Sequence, residues 1–106
     1  MRTRTRKKER ELFLATVIGL LLNLGARQDD DHFILQTKAG RLTLYPNVYG
    51  GNELGTVFAR FDDPQAARQI VECNPYSGKW NHHYFDGWTV ETATDDFTAR
   101  LMRVLP

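Results

Sequence analysis

An apolar run from Leu12 to Leu24 restricts the fold of this chain more than any other feature, because it has to be shielded from water on nearly every side. The polar residues Glu9, Thr16 and Asn23 recur at a spacing of seven, so they share one narrow stripe of a helix. Small residues lie beside that stripe, and the remaining circumference is Leu, Phe, Val and Ile. Such a helix must be covered on more than one side.

Two arrangements would cover this helix. Its own sheet can cover one side, and a second layer or a second subunit can cover the other. A closed two-fold arrangement is the commonest form of self-association. We therefore predict a homodimer in which the first helix supplies much of the interface, through Leu14, Val17, Ile18 and Leu21.

The same run also raises the question of a membrane or secretory role. It is about 13 residues long, whereas a span needs 18 or more. Glu9 and Glu11 place acid directly before it, and the large Leu24 stands two positions before Ala26, which is unfavourable for signal cleavage. We expect no membrane association, and leave open whether residues 1–26 are removed as a signal.

The charge of the chain is unevenly distributed. The formal net charge is +1, yet residues 1–11 hold six Lys or Arg against two acids, while the rest is mildly acidic. Residues 1–10 are therefore predicted to be a basic arm that leads into an apolar helix ending at about residue 25. This arm motivates an alternative role for the protein as a nucleic-acid-associated regulator, because cationic side chains bind phosphates. The candidate phosphate-binding residues are Arg2, Arg4, Arg6, Lys7, Lys8 and Arg10.

Length and cysteine usage limit the class of protein. A chain of 106 residues is expected to form a single domain. Cys73 is the only cysteine, so neither an intramolecular disulfide nor a Cys-rich zinc site can form. A single thiol suits a reducing compartment, and we expect a cytoplasmic protein. Adjacent His82 and His83 would point to opposite faces of a strand, so we expect no metal and no other cofactor.

The rest of the chain predicts an α+β fold. Alternation at 42–45 is typical of a half-buried strand, and Asp63 followed by Pro64 is typical of a helix start. Gly25 reads as the stop of the first helix. The expected architecture is a five-stranded, mainly antiparallel sheet with three helices in the order α-β-β-β-α-β-β-α, with strands at 32–37, 41–45, 55–61 and within 79–91, and a final helix buried through Phe97, Leu101, Val104 and Leu105.

The segment 74–91 holds five of the twelve aromatic residues. Asp86-Gly87 is typical of a two-residue hairpin turn, which would pair Phe85 with Trp88. One face of that hairpin, with His83, Phe85 and Trp88, is the more apolar and is expected to face the core. The other face, with Trp80, His82 and Tyr84, is expected to be a partly exposed recognition surface. The alternative is that helices cover both faces, in which case every aromatic residue of the hairpin belongs to the core.

The sequence contains no complete catalytic motif among those considered. Ser77-Gly78-Lys79 lacks the flanking residues of a phosphate loop, and nothing around Ser77 resembles a nucleophile elbow. The favoured hypothesis is a small non-enzymatic protein-interaction module, such as an inhibitor or accessory factor of the kind carried by phages and mobile elements. A small enzyme of unknown chemistry is a weaker alternative. The predicted partner-binding residues are Tyr49, on the loop from Pro46 to Leu54, together with Tyr76, Lys79, Trp80, His82 and Tyr84.

Overall fold

Two long helices cover one face of a five-stranded sheet. The computed structural model describes the backbone of residues 2–46 and 54–106, with side chains from residue 7 onward, so Tyr49 lies outside the described residues. The described helices are α1 (Arg2–Asn23), α2 (Pro64–Ala67) and α3 (Val90–Val104), and the described strands are β1 (Arg27–Asp29), β2 (His32–Thr37), β3 (Gly40–Tyr45), β4 (Gly55–Phe61) and β5 (His82–Tyr84).

The sheet runs in chain order from β1 to β5, and every neighbouring pair is antiparallel. Because side chains alternate along a strand, the register places Leu35, Leu42 and Phe61 in one inward row across three strands. Phe33 and Leu44 begin a second inward row. These apolar side chains are all nearly or fully buried, so one face of the sheet forms the floor of the core.

The helices supply the other half of the core. Helix α1 packs on α3 and on β4, and the two helices together form the layer above the sheet. Burying a large apolar side chain stabilises the fold by roughly 1.5–3 kcal/mol relative to leaving it exposed. The fully or nearly fully buried helical residues are Phe13, Leu14, Val17 and Leu21 of α1 and Ala93, Phe97, Leu101 and Val104 of α3.

Helix α1 ends at Asn23, and Gly25 forms its C-terminal stop as predicted. Gly25 adopts a φ of 88°, and the Ala26 amide donates to Leu21 O while the Gly25 amide donates to Leu22 O. This pair of hydrogen bonds is the Schellman motif, which needs a left-handed residue at that position and so favours glycine. The sharp stop returns the chain into β1, which forms a hairpin with β2.

The packing of α1 corrects the predicted dimer interface. Leu14, Val17 and Leu21 are buried within their own subunit, and Ile18 is half-buried against the same core. The prediction was wrong for Leu14, Val17 and Leu21, because α3 supplies the second covering that the sheet alone cannot, whereas for Ile18 it stays a prediction. The basic segment belongs to the same helix, because α1 is continuous from Arg2.

The predicted fold class is confirmed: the protein is α+β, with a five-stranded antiparallel sheet and three helices. The observed order is α-β-β-β-β-α-β-α, close to the predicted one. The two differences have separate causes. Residues 27–29, expected to be loop, pair with β2, and the expected second strand of the aromatic hairpin does not form.

Helix capping explains the missing strand. The Trp88 amide donates to Phe85 O at 3.2 Å, which closes a turn. Thr89 then caps α3: its hydroxyl accepts from the Thr92 amide, and the Thr92 hydroxyl accepts from the Thr89 amide. This reciprocal capping box starts the helix at Val90. The helix therefore takes the residues that the hairpin required.

Within the described residues, no helix is both long and apolar enough to cross a bilayer.

Candidate functional site

The segment after α2 divides its aromatic residues between the two faces of the sheet. Trp80 and Tyr84 point into the core, where they are 8% and 0% exposed. Trp80 packs on Phe61 with ring centroids 5.2 Å apart, and Tyr84 meets Phe13 edge-on at 5.0 Å. The predicted face assignment was therefore reversed for Trp80, Tyr84 and Phe85, whereas Trp88 packs against the core as predicted. It rested on which face was more apolar, but a tyrosine whose hydroxyl finds a partner is well suited to a core.

Two hydrogen bonds with the backbone of Ala59 hold the Trp80 segment against β4. The Trp80 amide donates to Ala59 O at 2.8 Å, and the Ala59 amide donates to the Asn81 side-chain oxygen at 3.0 Å. This arrangement extends the contact between β4 and the segment before β5 without a further strand. It also sets the alternation that sends Lys79 to the opposite face from Trp80.

A compact turn presents Tyr76 to solvent. The Asn74 side-chain oxygen accepts from the amides of Tyr76 and Ser77, both at 2.9 Å, and Gly78 donates to Asn74 O. Gly78 has a φ of 74° and lies against the Phe61 carbonyl, where no side chain would fit. Tyr76 is 92% exposed on this well-bonded turn. The prediction that Tyr76 is available to a partner therefore agrees with its position.

The face of the sheet opposite the helices presents a mixed aromatic and basic surface, which we call the open face. Helices α1 and α3 share the core with the other face of the sheet. The centre of the open face is a cross-strand row in which Thr43 pairs with Arg60, and the backbone of Arg60 forms an isolated antiparallel β-bridge with that of Lys79. We define the open face as His32, Ile34, Thr43, Tyr45, Phe58, Arg60, Lys79, His83 and Phe85.

Aromatic side chains lie beside that basic row. Tyr45 pairs with Phe58 across β3 and β4, and the His32 ring lies 5.1 Å from the Tyr45 ring. Tyr45 and Phe58 also line a shallow depression of about 430 Å³, and its other lining residues are Asp31, Ala59, Arg60, Lys79 and Asn81. The depression thus combines apolar walls with two cations and one carboxylate.

The far end of the open face is ordered by His83. Its Nδ1 lies 3.0 Å from the Thr56 hydroxyl, and its ring stacks on Phe85 with an interplanar angle of 10°. Phe58 meets the same ring edge-on at 6.3 Å. Phe85 is nevertheless 45% exposed. These contacts hold a large apolar side chain in a defined position at the surface.

Behind the sheet, Asp96 is the centre of a polar cluster. Its Oδ2 atom accepts from the Tyr84 hydroxyl at 3.0 Å and from Arg100 Nε at 2.9 Å. His82 Nε2 lies 3.2 Å from the same oxygen without the alignment of a hydrogen bond. The cluster joins β5 to α3, and it satisfies the hydroxyl of a tyrosine whose ring is buried.

The electrostatics of this cluster follow from burial and pairing. Burial, followed by the Arg100 charge, lowers the pKa of His82 below its ordinary value, although Asp96 opposes this. Burial alone would raise the pKa of Asp96, but the hydrogen bonds from Arg100 and Tyr84 outweigh it and hold that pKa below its ordinary value. Burial and the bond to Asp96 raise the pKa of the Tyr84 hydroxyl strongly. At neutral pH the cluster therefore holds a neutral histidine, a carboxylate and a guanidinium.

The Cys73 thiol and the possible metal ligands are not arranged as a reactive site. Burial raises the pKa of the half-buried Cys73 thiol against an opposing effect of Arg68, so the thiol is protonated at neutral pH rather than a nucleophilic thiolate. In residues 2–46 and 54–106, no group of three or more His, Cys, Asp or Glu side chains is placed to hold a metal ion.

The basic segment of α1 lies at the start of a long helix. Lys7 and Lys8 are exposed, whereas Arg10 is half-buried and its stem lies over Gly55 of β4. Arg2, Arg4 and Arg6 occupy the preceding helical positions. All six cationic residues therefore belong to the first three turns of one continuous helix.

The predicted partner-binding residues thus do not form one surface. Lys79 belongs to the open face and Tyr76 to the adjacent turn, while Trp80 and Tyr84 are core residues and His82 is half-buried beside Asp96. Sequence reasoning missed Tyr45, Phe58 and Arg60. A signal for them was present: if Leu42, Leu44 and Phe61 face a core, then the residues between them face outward. That inference needed only the additional assumption that the helices cover a single face.

Comparison of this chain with protein-family models, with curated protein sequences and with solved structures finds no match.

Proposed function

We propose that this protein is a small, cytoplasmic, non-enzymatic interaction module that binds a protein partner through the open face. The observation that carries the proposal is the register of β3, β4 and the segment before β5, which brings Tyr45, Phe58, Arg60 and Lys79 together on rigid backbone. An inhibitor or accessory factor of the kind carried by phages and mobile elements would act in this way, by occupying a surface of its partner.

The composition of the open face supports a protein partner. Aromatic residues and arginine are enriched at protein interfaces, and they dominate the binding energy of those interfaces. Here the aromatic side chains are ordered by their neighbours, as in the stack of His83 on Phe85, so little side-chain entropy remains to be lost on binding. Arg60 and Lys79 favour a partner surface that combines acidic and apolar groups.

The experiment compares matched exposed apolar positions on opposite sides of the molecule. A photo-reactive phenylalanine analogue replaces Phe85 on the open face in one variant and Met102 on α3, which is 53% exposed, in the other. We expect cells of the native host to yield one crosslinked protein from position 85 and not from position 102. Arg60→Glu in the first variant should abolish that product, because it places like charge against an acidic partner.

Two results would contradict this proposal. The first is equal crosslinking from both positions. The second is a product from position 85 that survives Arg60→Glu in a folded protein. Either would mean that the open face is not a specific interface.

A nucleic-acid-associated regulator is the second candidate. The observation that favours it is that six cationic residues, including Lys7 and Lys8, occupy the first three turns of a continuous helix. Each phosphate neutralised by such a helix contributes a slope of about −0.9 to the dependence of log K on log salt for duplex DNA.

Replacing Arg2, Arg4, Arg6, Lys7 and Lys8 by Gln tests this candidate, since Gln retains helix propensity while removing charge. Duplex binding that weakens in the variant and loses salt dependence would support a role for the helix. Binding that is absent, or unchanged by the substitutions, would remove the candidate.

A further inference from the structure

The outward side of α1 carries an apolar surface that its own subunit leaves uncovered. Leu12 is 58% and Leu22 is 48% exposed, although both belong to the most apolar segment of the chain. Ala15 and Gly19 lie between them on the same side and are also exposed, and nothing lies within 4 Å of the position that a Cβ on Gly19 would occupy. We define Leu12, Ala15, Gly19 and Leu22 as the outward stripe of α1.

The spacing of this stripe is symmetric. Leu12 precedes Ala15 by three residues, Gly19 follows Ala15 by four, and Leu22 follows Gly19 by three. Read in either direction, the stripe presents a leucine, a small residue, a second small residue and a leucine. If two copies of α1 lie antiparallel, Leu12 of each meets Leu22 of the other, and Ala15 meets Gly19. A two-fold contact requires that one patch be complementary to itself in this way.

Size complementarity favours the same arrangement. The two small residues lie at the centre of the stripe, where they allow the helix axes to approach closely, and the leucines at its ends fill the diverging space on either side. Ridges and grooves of this kind determine how closely helices pack.

The charges of α1 favour an antiparallel copy as well. Its first turn contains no acid and its last turn contains no base, so α1 lacks the charges that stabilise the two ends of an isolated helix. Six of the first ten residues are cationic, and the acidic turn Asp29–Asp31 follows the far end of the helix. With Leu12 level with Leu22, Arg10 lies level with Leu24, so the basic start of each helix adjoins the negative C-terminal end of the other, and charges that are unfavourable within one chain become favourable between two.

From these observations we propose that the protein is a two-fold dimer in which α1 packs antiparallel on α1 of a second copy through the outward stripe. The proposal rests on the homodimer expected from the sequence, but it replaces the interface residues that the structure buries with Leu12, Ala15, Gly19 and Leu22. It shares no residue with the open face, which stays available to a partner on the opposite side of the sheet.

Light scattering tests the dimer. The wild-type protein should have twice the mass of the 12.2 kDa chain at micromolar concentration. Leu22→Glu should yield a folded monomer, because its side chain is already half exposed and the substitution need not disturb the core. Met102→Glu, an exposed apolar position on α3, is the matched control and should remain dimeric. A monomeric wild type would overturn the proposal together with the homodimer.

Disulfide trapping tests the register. In a background with Cys73→Ser, Leu12→Cys and Leu22→Cys proteins are prepared separately, mixed and oxidised. The antiparallel register brings position 12 of one copy to position 22 of the other, so a mixed disulfide should form in the mixture. Equivalent positions are then separated by roughly 15 Å along the helix, too far for either protein to crosslink with itself.

The outcomes distinguish the register from the dimer itself. Disulfides within the Leu12→Cys protein alone would indicate a parallel pair, and a dimer that forms no mixed disulfide would indicate another interface. Either result would overturn the antiparallel contact while leaving a homodimer in place.

Discussion

Tyr84 and Phe85 are neighbours in the chain, yet the two faces of the sheet use them in opposite ways. Tyr84 is completely buried, with its hydroxyl bonded to Asp96, whereas Phe85 is 45% exposed and stacks on His83. The covered face holds its aromatic residues in a core formed with α1 and α3. The open face orders its own through contacts along the surface. Similar residue types therefore stabilise the fold on one face and remain available for recognition on the other.

The strongest test of this contrast is truncation of an aromatic residue on the covered face. Trp80→Ala should destabilise the protein by about 3–5 kcal/mol, because it leaves a cavity against Phe61. Urea unfolding measures the loss. A folded Trp80→Ala protein with stability close to wild type would show that the covered face is not the core described here.

The turn that presents Tyr76 should be almost as sensitive. Gly78→Ala combines an unfavourable positive φ with a collision between the new Cβ and the Phe61 carbonyl, so we expect a loss of about 2 kcal/mol or more. Gly25→Ala is the control, since Gly25 also has positive φ but open space around it, and should cost only about 1–2 kcal/mol. Equal losses in thermal or urea unfolding would mean that the contact with β4 is unimportant.

The polar cluster should contribute less than the core packing around it. Tyr84→Phe keeps the buried ring but removes the hydrogen bond to Asp96, and bonds to charged groups contribute about 1.5–3 kcal/mol. Asp96 is partly exposed, so we expect a loss near the lower limit. Urea unfolding of Tyr84→Phe beside Trp80→Ala would rank the two contributions, and a larger loss for Tyr84→Phe would reverse the expected order.

The same cluster predicts a direction of pH dependence. The folded state lowers the pKa of His82, so below about pH 6.5 the unfolded chain binds the proton more readily and stability falls as the pH falls towards the folded pKa. Asp96 acts in the same direction at lower pH, because its stabilising contribution is lost as the pH falls through its lowered folded pKa.

Urea midpoints at pH 7.5 and pH 5.0 measure the histidine effect. We expect the wild type to be less stable at pH 5.0, and His82→Gln to show a smaller difference between the two values. If His82→Gln shows the same difference in urea midpoint between the two pH values as the wild type, groups other than His82 control the loss of stability at low pH.

The smallest effect on stability is expected on the outer surfaces. Tyr76→Ala should change the free energy of unfolding by no more than about 0.5 kcal/mol, because its side chain is 92% exposed. If Tyr76 anchors the proposed partner, the same change should weaken binding by on the order of 2 kcal/mol. Urea unfolding and calorimetric binding to the crosslinked partner check the two halves. A stability loss comparable to that of Trp80→Ala would erase the contrast between the surfaces.

Local patterns in the sequence determined much of this fold. The alternation of Leu42 and Leu44 predicts a half-buried strand, Gly25 predicts the end of α1, and the i, i+4 and i+7 spacing of Phe97, Leu101 and Val104 predicts the buried side of α3. Each of these depends on backbone geometry within one or two turns of the chain. Such short-range constraints are present in the sequence before any tertiary contact forms.

Tertiary structure alone decided which faces are buried. The pattern of residues 80–85 is compatible with either face inward. The choice depends on the hydrogen bond between Ala59 and Asn81, which are 22 positions apart in the chain, and on the bond between Tyr84 and Asp96, which are 12 positions apart. Likewise, the apolar residues around most of α1 indicate that two elements must pack on it. Only the packing of α3 shows that Leu14, Val17 and Leu21 are buried within the subunit, whereas Leu12 and Leu22 stay exposed. Periodicity shows that a surface must be buried, whereas what buries it depends on elements distant in the chain.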